Sequence, residues 1–305
     1  MEKKISRLIF LIHNKTLFKQ IYYAKIKRHK LFADFDDAEQ YETNYIFNYK
    51  FNYENPRSFN EHIVNLKKYY RNDLWRQCAD KLGSKEFLEK IELGNYLPKV
   101  YGIYSDSSKI NINELPDKFV LKANHDCGSI FVCNKKTTNF TDVFKKLDKS
   151  LTKKYSNNNY EWVYDSIEPK LFAEELLLPF FGSNLVDYKL FCINGVFRFG
   201  FVCINRNSDI RFALFDDQFS IIEDCEFIHL FPKKKDIPPK PKKWKEMVEI
   251  AEKIGKHFKF VRVDMFYCEG EKIKIGELTF FSHSGHGQFT KKAFDFKFGK
   301  FFEDE

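Results

Sequence analysis

Hydrophobic residues between positions 58 and 90 recur at intervals of three and four, the spacing of an amphipathic helix. The same spacing recurs over residues 141–165 and 244–257, so helices are predicted there as well. Residues 1–50 are typical of short helices and loops, with Phe and Tyr interleaved among Lys and Arg. The first 90 residues are therefore predicted to be mainly helical.

Short runs of β-branched and aromatic residues predict strands further along the chain. Residues 99–104 (KVYGIY) and 118–122 (KFVLK) are two of these runs. Residues 131–133 are expected to pair back against the second run across the loop at 123–130. Residues 170–178 are expected to be extended or a linker.

Two β-hairpins are predicted in the second half of the chain. Residues 188–193 and 196–204 flank Asn194–Gly195, a dipeptide suited to a type I′ turn because both turn positions need positive φ. Residues 261–268 and 273–278 flank a loop of four residues. Because helices and strands are mixed and antiparallel hairpins are prominent, the predicted fold class is α+β.

Composition and charge exclude several classes of protein. Apolar residues make up 43% and charged residues 31% of the chain, which excludes intrinsic disorder for most of it. The length of 305 residues indicates two or three subdomains. Residues 1–30 contain nine Lys or Arg and one Glu, so they carry the whole net charge of +8. Because a nucleic-acid-binding protein usually spreads basic charge over its folded surface, no nucleic-acid partner is expected. The basic segment is either a helix resting on anionic lipid or a solvated helix face whose aromatics pack on the main body.

The expected location is the cytoplasm, at the inner face of the membrane if residues 1–30 contact lipid. No apolar run approaches the roughly 18 residues of a spanning helix, and the first residues lack the apolar core and cleavage site of a signal peptide. Seven cysteines without a CxxC pair fit free thiols in a reducing compartment.

The second hairpin carries a candidate metal site. With residues 269–272 as its loop, its cross-strand pairs are Cys268 with Ile273, Asp264 with Glu277, and Arg262 with Thr279. Two carboxylates directly opposite each other lie about 5 Å apart and repel unless they are neutralised, and a bridging Mg²⁺ would do this. In the alternative interpretation, Arg262 pairs diagonally with Glu277, and Asp264 faces water.

The first hairpin carries a candidate anion site. With Asn194–Gly195 as the turn, Asp187, Lys189, Arg198 and Arg206 share one face. The other face carries Tyr188, Leu190, Cys192, Phe197, Phe199 and Phe201. The basic face suits phosphate or carboxylate, and the alternative is an ordinary solvent-facing polar side. Lys122, followed by a loop of small polar residues with a single Gly, is a third basic point near which phosphates could bind.

The order of these motifs resembles that of the ATP-grasp superfamily. A basic strand end (KFVLK) is followed by LFAEELL, a hairpin beginning Asp-Tyr-Lys, then Arg-Val-Asp and Glu-Leu-Thr. Within that superfamily, LPDKFVLKANHDCGS, VDYKLFCING and IGELTFFSHSG resemble the TupA-like branch, which is associated with teichuronopeptide and other bacterial surface polysaccharides. The resemblance covers residues 55–302.

The resemblance implies a role for each matching residue, with ATP and Mg²⁺ as cofactors. The implied ATP-binding residues are Lys81, Lys122, His125, Ser129, Glu174, Glu175, Leu177 and Asp187. The two lysines would hold the phosphates, residues Glu174 to Leu177 would receive the adenine, and Asp187 would lie near the ribose. The implied metal ligands are Asp264, Glu277 and Thr279, the last in a position that is often Asn. The implied catalytic residues are Arg262, Lys189 and Arg206, of which Arg262 would steady an acyl phosphate.

The implied fold is an ATP-grasp fold with a basic helical segment at 1–75, a small lid subdomain at 76–175 and a subdomain with the metal site at 176–305. The implied activity is the ligation of a carboxylate to an amine with release of ADP. The carboxylate and the amine would be carried by a sugar or an amino acid, and one of these substrates would be a lipid-linked glycan in the membrane-associated case. A kinase that phosphorylates a sugar hydroxyl is an enzymatic alternative. A basic adaptor that binds membrane or nucleic acid through residues 1–30 is a non-enzymatic one.

Overall fold

The computed structural model describes residues 50–126, 128–153, 160–182, 184–204 and 210–304, together with residues 39, 43, 46 and 47. Arg57–Glu305 form one compact unit. Its elements in chain order are α1 (Phe59–Tyr69), α2 (Asp73–Ala79), α3 (Lys81–Lys90), β1 (Val100–Tyr104), β2 (Lys118–Ala123), β3 (Ile130–Asn134), α4 (Phe140–Leu151), β4 (Leu171–Glu175), β5 (Asp187–Ile193), β6 (Val196–Ile204), β7 (Arg211–Asp216), α5 (Trp244–Gly255), β8 (Phe260–Cys268), β9 (Lys272–Thr279) and α6 (Lys292–Gly299).

Side-chain caps start the first three helices. Ser58 and Glu61 form a reciprocal capping box at α1. Asn72 accepts from two backbone N–H groups at the start of α2, and Asp80 accepts from the Leu82 N–H at the start of α3. Polar residues therefore divide the predicted helical region into three short helices.

A small antiparallel sheet has the strand order β1-β4-β2-β3. One face packs on α4 through a core that includes Phe119, Leu121, Ala173 and Leu147. The three strands predicted before residue 135 are confirmed, as is the pairing of residues 131–133 with 118–122.

A larger antiparallel sheet has the strand order β7-β6-β5-β8-β9. On one face Cys192 Sγ donates to Ala251 O of α5 at 3.3 Å. On the other face, the ring of Phe59 in α1 lies 5.6 Å from that of Phe191 and 5.5 Å from that of Phe199. Strand β7 and helix α6 were not predicted. Mixed helices and antiparallel sheets confirm the α+β class.

The first hairpin has the predicted turn but not the predicted faces. Ile193 lies opposite Val196, as expected, but a bulge follows, because Cys192 pairs with Phe197 and Phe191 with Phe199. Arg198 is the extra residue of this bulge. Beyond it the alternation is reversed, so the prediction that Phe199 and Phe201 lie on the face opposite Lys189 is wrong.

Arg198 therefore does not join the predicted basic face. It lies 3.2 Å from Asp304, with its guanidinium 5.1 Å from the ring centre of Phe301. Lys189 pairs with Phe201 across the two strands, so Phe201 shares the face of Lys189. Arg206, the third predicted cation, lies outside the described residues.

The second hairpin has the predicted central pairs but a different end. Asp264 lies opposite Glu277 and Arg262 opposite Thr279, as predicted. Cys268 lies opposite Lys272, however, and not opposite Ile273. A bulge at Gly276 restores the register, because Asp264 pairs with Glu277 and Met265 with Ile275.

The predicted division of the chain into three segments at residues 75 and 175 stays a prediction. The structure groups the residues from Arg57 onward into one compact unit. The basic segment 1–30 lies outside the described residues. Within the described part of the chain, no helix is long and apolar enough to cross a membrane.

Candidate active site

A buried ionic cluster lies on the small sheet, on the face opposite α4. Lys122 of β2 and Glu174 of β4 belong to adjacent strands, and the Lys122 ammonium donates to Glu174 Oε1. Lys85 of α3 approaches the same carboxylate, with Nζ 3.3 Å from Oε2. Burial opposes the ionisation of Glu174, but the charges of Lys122 and Lys85 outweigh burial and lower its pKa. Burial also lowers the pKa of Lys85, although the charge of Glu174 opposes this. Two lysines and one glutamate therefore form an ionic group that is largely removed from water.

Lys81, the first residue of α3, is bound to the loop that follows β2. Its N–H donates to Asn124 O at 3.2 Å, and its ammonium donates to the carbonyls of Asn124 and Asp126. Asn124 Nδ2 donates in turn to Asp80 Oδ1 at 2.9 Å. The structure thus brings Lys81 and Lys122, the two predicted phosphate contacts, to the same end of β2.

Ser129 and His125, the other predicted residues of this loop, are engaged within the protein. Ser129 donates from its N–H to Asp126 Oδ1 at 3.3 Å and from its hydroxyl to Asp126 Oδ2. His125 Nε2 lies 3.2 Å from Ser150 O near the end of α4, and burial lowers the pKa of His125. His125 is therefore next to α4, and its contact with phosphate stays a prediction.

The segment after β4 connects the two sheets. Glu175 Oε2 accepts from the Lys99 N–H at 3.2 Å, and Leu177 is half-buried. Pro179 then forms an isolated bridge with Cys268 at the end of β8. The adenine-binding role of Glu174, Glu175 and Leu177 stays a prediction.

A second ionic cluster lies at the centre of the large sheet. Asp264 accepts from Lys189 Nζ, from Arg262 Nε at 2.6 Å and from Arg262 Nη2 at 2.8 Å. Lys189 Nζ also lies 2.8 Å from Asp187 Oδ2. All four side chains are buried. The grouping of Asp187 with Lys189, and of Arg262 with Asp264, is therefore confirmed.

The charges of this cluster support one another. Burial opposes the ionisation of Asp264, but the charges of Arg262 and Lys189 outweigh it and lower its pKa to about 2. Burial also opposes the charged forms of Lys189 and Arg262, but the neighbouring carboxylates outweigh it and raise both pKa values. Asp264, Lys189 and Arg262 are therefore charged near neutral pH.

The three predicted metal ligands converge on one nitrogen of Arg262. Nη2 lies 2.8 Å from Asp264 Oδ2, 3.0 Å from Thr279 Oγ1 and 3.6 Å from Glu277 Oε1. The side chain of Glu277 is 34% exposed, whereas that of Asp264 is 3% exposed. The diagonal Arg262–Glu277 contact of the alternative interpretation is thus present, but Asp264 does not face water.

This oxygen set fits a hard divalent cation. Two carboxylates and a hydroxyl from neighbouring strands already surround one positive group, and such oxygens are the ligands that Mg²⁺ uses. Within the described ranges, no group of three or more His, Cys, Asp and Glu side chains is placed to hold a metal ion. A metal here would therefore depend on Glu277 as the accessible ligand and on Thr279 in place of a third carboxylate.

Exposed apolar side chains lie beside Lys122. Ile130 and Val132 of β3 pair with Lys122 and Val120, so they project from the same face of the small sheet. They are 42% and 65% exposed, respectively. This face therefore combines an ionic cluster with uncovered apolar surface.

Two residues of the site are not identified by the sequence analysis. Lys85 follows Lys81 by four residues in α3, and this helical spacing is a signal that could have identified it. Ser282, whose Oγ accepts from Arg262 Nη1 at 3.3 Å, follows β9 in a short 3₁₀ turn and carries no comparable signal.

A cavity of about 450 Å³ lies beside α2 and α3, lined by residues that include Arg76, Asp80, Glu86, Ile103 and Lys170. Neither Lys122 nor Asp264 lines it. The cavity is therefore distinct from both ionic clusters, although Asp80 connects it to the loop at Asn124.

Comparison with known proteins gives a family match over most of the chain. Residues 61–303 match the family model described as TupA-like ATPgrasp. Among solved structures, D-alanine–D-alanine ligase from Bacillus anthracis complexed with ATP is 15% identical, with 67% of this chain and 55% of that chain covered and a TM-score of 0.39. N5-carboxyaminoimidazole ribonucleotide synthetase from Thermotoga maritima is 16% identical, with 66% and 41% covered and a TM-score of 0.33.

L-amino acid ligase from Bacillus licheniformis is 9% identical to the chain, with 66% and 42% covered and a TM-score of 0.40. The chain thus spans about half the length of these structures. No curated protein matches the sequence.

Proposed function

The chain belongs to the TupA-like ATP-grasp family, and we propose that it is an ATP-dependent carboxylate–amine ligase that releases ADP. The observation that carries the proposal is the convergence of Asp264, Glu277 and Thr279 on Arg262 in a chain of this family. A site of this kind places fixed positive charge beside the oxygens that would hold a metal, which suits the transfer of a phosphoryl group.

At the nucleotide end, Lys81 and Lys122 would bind phosphates, with Glu174 next to the adenine. The exposed side chains of Ile130 and Val132 would give the base an apolar surface beside Lys122. Lys85 would keep Glu174 ionised when Lys122 turns toward a phosphate, because it holds the other carboxylate oxygen.

At the reactive end, Glu277, Asp264 and Thr279 would hold Mg²⁺, which supplies neutralisation of phosphate charge when bound. Arg262 and Lys189 would bind the oxygens of the phosphorylated carboxylate. The γ-phosphoryl group of ATP would pass to a carboxylate oxygen with ADP as the leaving group. The amine would then attack the acyl carbon, and phosphate would leave as the nitrogen loses a proton and the amide forms. Arg262 keeps its charge throughout because Asp264 accepts from two nitrogens of its guanidinium.

The substrates are proposed to be a sugar or an amino acid that supplies the carboxylate and the amine in surface-polysaccharide synthesis. The TupA-like family match supports this substrate class. Residues 1–30, with their excess of eight positive charges, would bring the enzyme to lipid-linked glycans at the inner face of the membrane. Deleting residues 1–30 should abolish binding to anionic phospholipid vesicles, and equal binding with and without them would remove this part of the proposal.

The test is ADP release from Mg·ATP with glucuronate as carboxylate and a mixture of amino acids as amine, followed by mass spectrometry of the products. A ligase releases ADP only when carboxylate and amine are both present, and yields an amide. A phosphorylated sugar formed without an amine would identify the kinase alternative. Failure of the protein to bind Mg·ADP in calorimetry would overturn the proposal and favour the adaptor.

A further inference from the structure

Helix α1 contains polar side chains that are buried almost completely. Lys67 is 1% exposed and Asn60 is 0% exposed, although lysine is almost never buried without partners. Lys67 Nζ donates to Ser284 O at 2.9 Å and to Ser284 Oγ at 3.1 Å. The Lys67 ammonium therefore binds the segment that follows β9.

Asn60 binds the same segment at a second point. Its Nδ2 donates to Gly287 O at 2.8 Å, and its Oδ1 accepts from the Gly287 N–H at 3.0 Å. Its own N–H donates to Asp295 Oδ1 at 3.0 Å. Residues 282–287 are here called the β9 loop. Helix α1 thus holds this loop at two points, at Ser284 through Lys67 and at Gly287 through Asn60.

The β9 loop has a backbone that needs such support. His283, Ser284 and Gly285 have φ values of 48°, 59° and 78°, so three consecutive residues are left-handed, two of them not glycine. A Cβ at Gly285 would lie 2.6 Å from Val64 Cγ2 of α1, so only glycine allows this close approach. Conformations of this kind persist only when the surrounding structure fixes them.

The first residue of the β9 loop contacts the centre of the site. Ser282 is 1% exposed, and its Oγ accepts from Arg262 Nη1 at 3.3 Å. The other donors of Arg262 are held by Asp264 and Thr279 on strands β8 and β9. Ser282 is therefore the contact by which the β9 loop fixes the remaining side of the guanidinium.

We propose that Lys67 is a positioning residue for Arg262, which it orients by holding the β9 loop at Ser284. The role of Arg262 in the reaction rests on the proposed function. The effect of Lys67 on the orientation of the Arg262 side chain does not rest on it. The proposal also gives α1, which the sequence analysis places in a helical extension, a direct part in building the site.

The test compares Lys67→Met, which keeps the length of the side chain and removes its ammonium, with Lys68→Met, the same change one residue further on. The Nε–H resonance of Arg262 is observed in protein that contains isotope-labelled arginine and is assigned by its loss in Arg262→Lys. It is expected to shift or broaden in Lys67→Met and to stay in place in Lys68→Met. The affinity for metal-free ADP is expected to change less than twofold in both variants, because Lys122 and Glu174 lie on the other sheet.

An unchanged Arg262 resonance in folded Lys67→Met would overturn the proposal. If Lys67→Met does not fold, Ser284→Ala decides, because it removes one acceptor of the ammonium and leaves the carbonyl. The Arg262 resonance should then shift in Ser284→Ala, and an unchanged resonance in this variant would also overturn the proposal. Absence of Mg·ADP binding in the unmodified protein would instead contradict the proposed function, so the two failures are distinguishable.

Discussion

Asp264 and Glu277 face each other directly across β8 and β9, but only Asp264 is buried. Asp264 is bound to Arg262 and to Lys189, whereas the nearest approach of Glu277 to Arg262 is 3.6 Å. The two carboxylates are therefore not an equivalent bridging pair. Asp264 binds the buried side chains of Arg262 and Lys189, and Glu277 is the carboxylate that an incoming metal ion would meet first.

We expect Lys122→Ala to weaken nucleotide binding and to lower stability. The substitution removes one of the two cations that keep buried Glu174 ionised, so we expect a loss of about 1–3 kcal/mol in the free energy of unfolding. Affinity for Mg·ADP should fall roughly 10- to 100-fold, which corresponds to a charge-assisted contact of about 1.5–3 kcal/mol. Calorimetry and urea denaturation measure the two effects.

Lys118→Ala is the matched control for this prediction, because Lys118 lies on the same strand four residues earlier and is exposed. It should change neither quantity. Unaltered affinity for Mg·ADP in Lys122→Ala would remove Lys122 from the nucleotide site.

Val132→Thr tests whether the exposed apolar face of β3 binds a base. The substitution keeps the shape of a side chain that is 65% exposed, so the free energy of unfolding should change by less than about 0.5 kcal/mol. Affinity for Mg·ADP should fall about fivefold, because a hydroxyl would be buried against the base at a cost of about 1 kcal/mol. Val196→Thr, at the first residue of β6 in the other sheet, is the control and should leave affinity unchanged.

The hairpins show how far sequence reasoning reaches. Alternation and turn chemistry predict both hairpins and the Asp264–Glu277 pair, which is confirmed. That register is correct because two offsets cancel: the loop is one residue shorter than expected, and Gly276 adds one residue as a bulge. At Arg198 an uncompensated bulge reverses the predicted faces of β6. Bulges are decided by how the sheet packs, which local alternation does not contain.

Contacts between distant segments could not be predicted. Lys67 and Ser284 are 217 residues apart, and no local pattern of either segment indicates that they meet. Motif order predicted the family, which is confirmed. It also singled out Lys122, Glu174, Arg262 and Asp264, which the structure places in two ionic clusters, and their roles stay predictions. The helix that supports the second cluster carried no chemical motif, so only its apolar spacing could be used.

Asp295 should make stability depend on pH. Burial raises the pKa of Asp295 from 3.8 to about 6, although the hydrogen bond from the Asn60 N–H opposes this. The folded state therefore holds a proton that the unfolded state loses, so the contribution of Asp295 is fully present below about pH 4 and is lost as the pH rises through 6. Asp295→Asn should raise the free energy of unfolding at pH 7 by about 2–3 kcal/mol and have little effect at pH 4.

Urea denaturation between about pH 4 and pH 7 measures this difference. Asp117→Asn, at an exposed position, is the control and should leave the pH profile unchanged. A parallel profile for Asp295→Asn and the unmodified protein would show that Asp295 does not carry the dependence.

The last prediction separates the roles of the two facing carboxylates. Asp264→Asn leaves buried Arg262 and Lys189 without their shared anion, so it should lower the free energy of unfolding by about 3–5 kcal/mol. Glu277→Gln removes a charge that is 34% exposed, so stability should change by less than about 1 kcal/mol, while the Mg²⁺ concentration needed for nucleotide binding rises at least tenfold. Melting curves and calorimetry with Mg·ADP at several Mg²⁺ concentrations measure both effects. If Glu277→Gln binds Mg·ADP with the Mg²⁺ dependence of the unmodified protein, the metal site does not include Glu277, and its contact with Arg262 is purely structural.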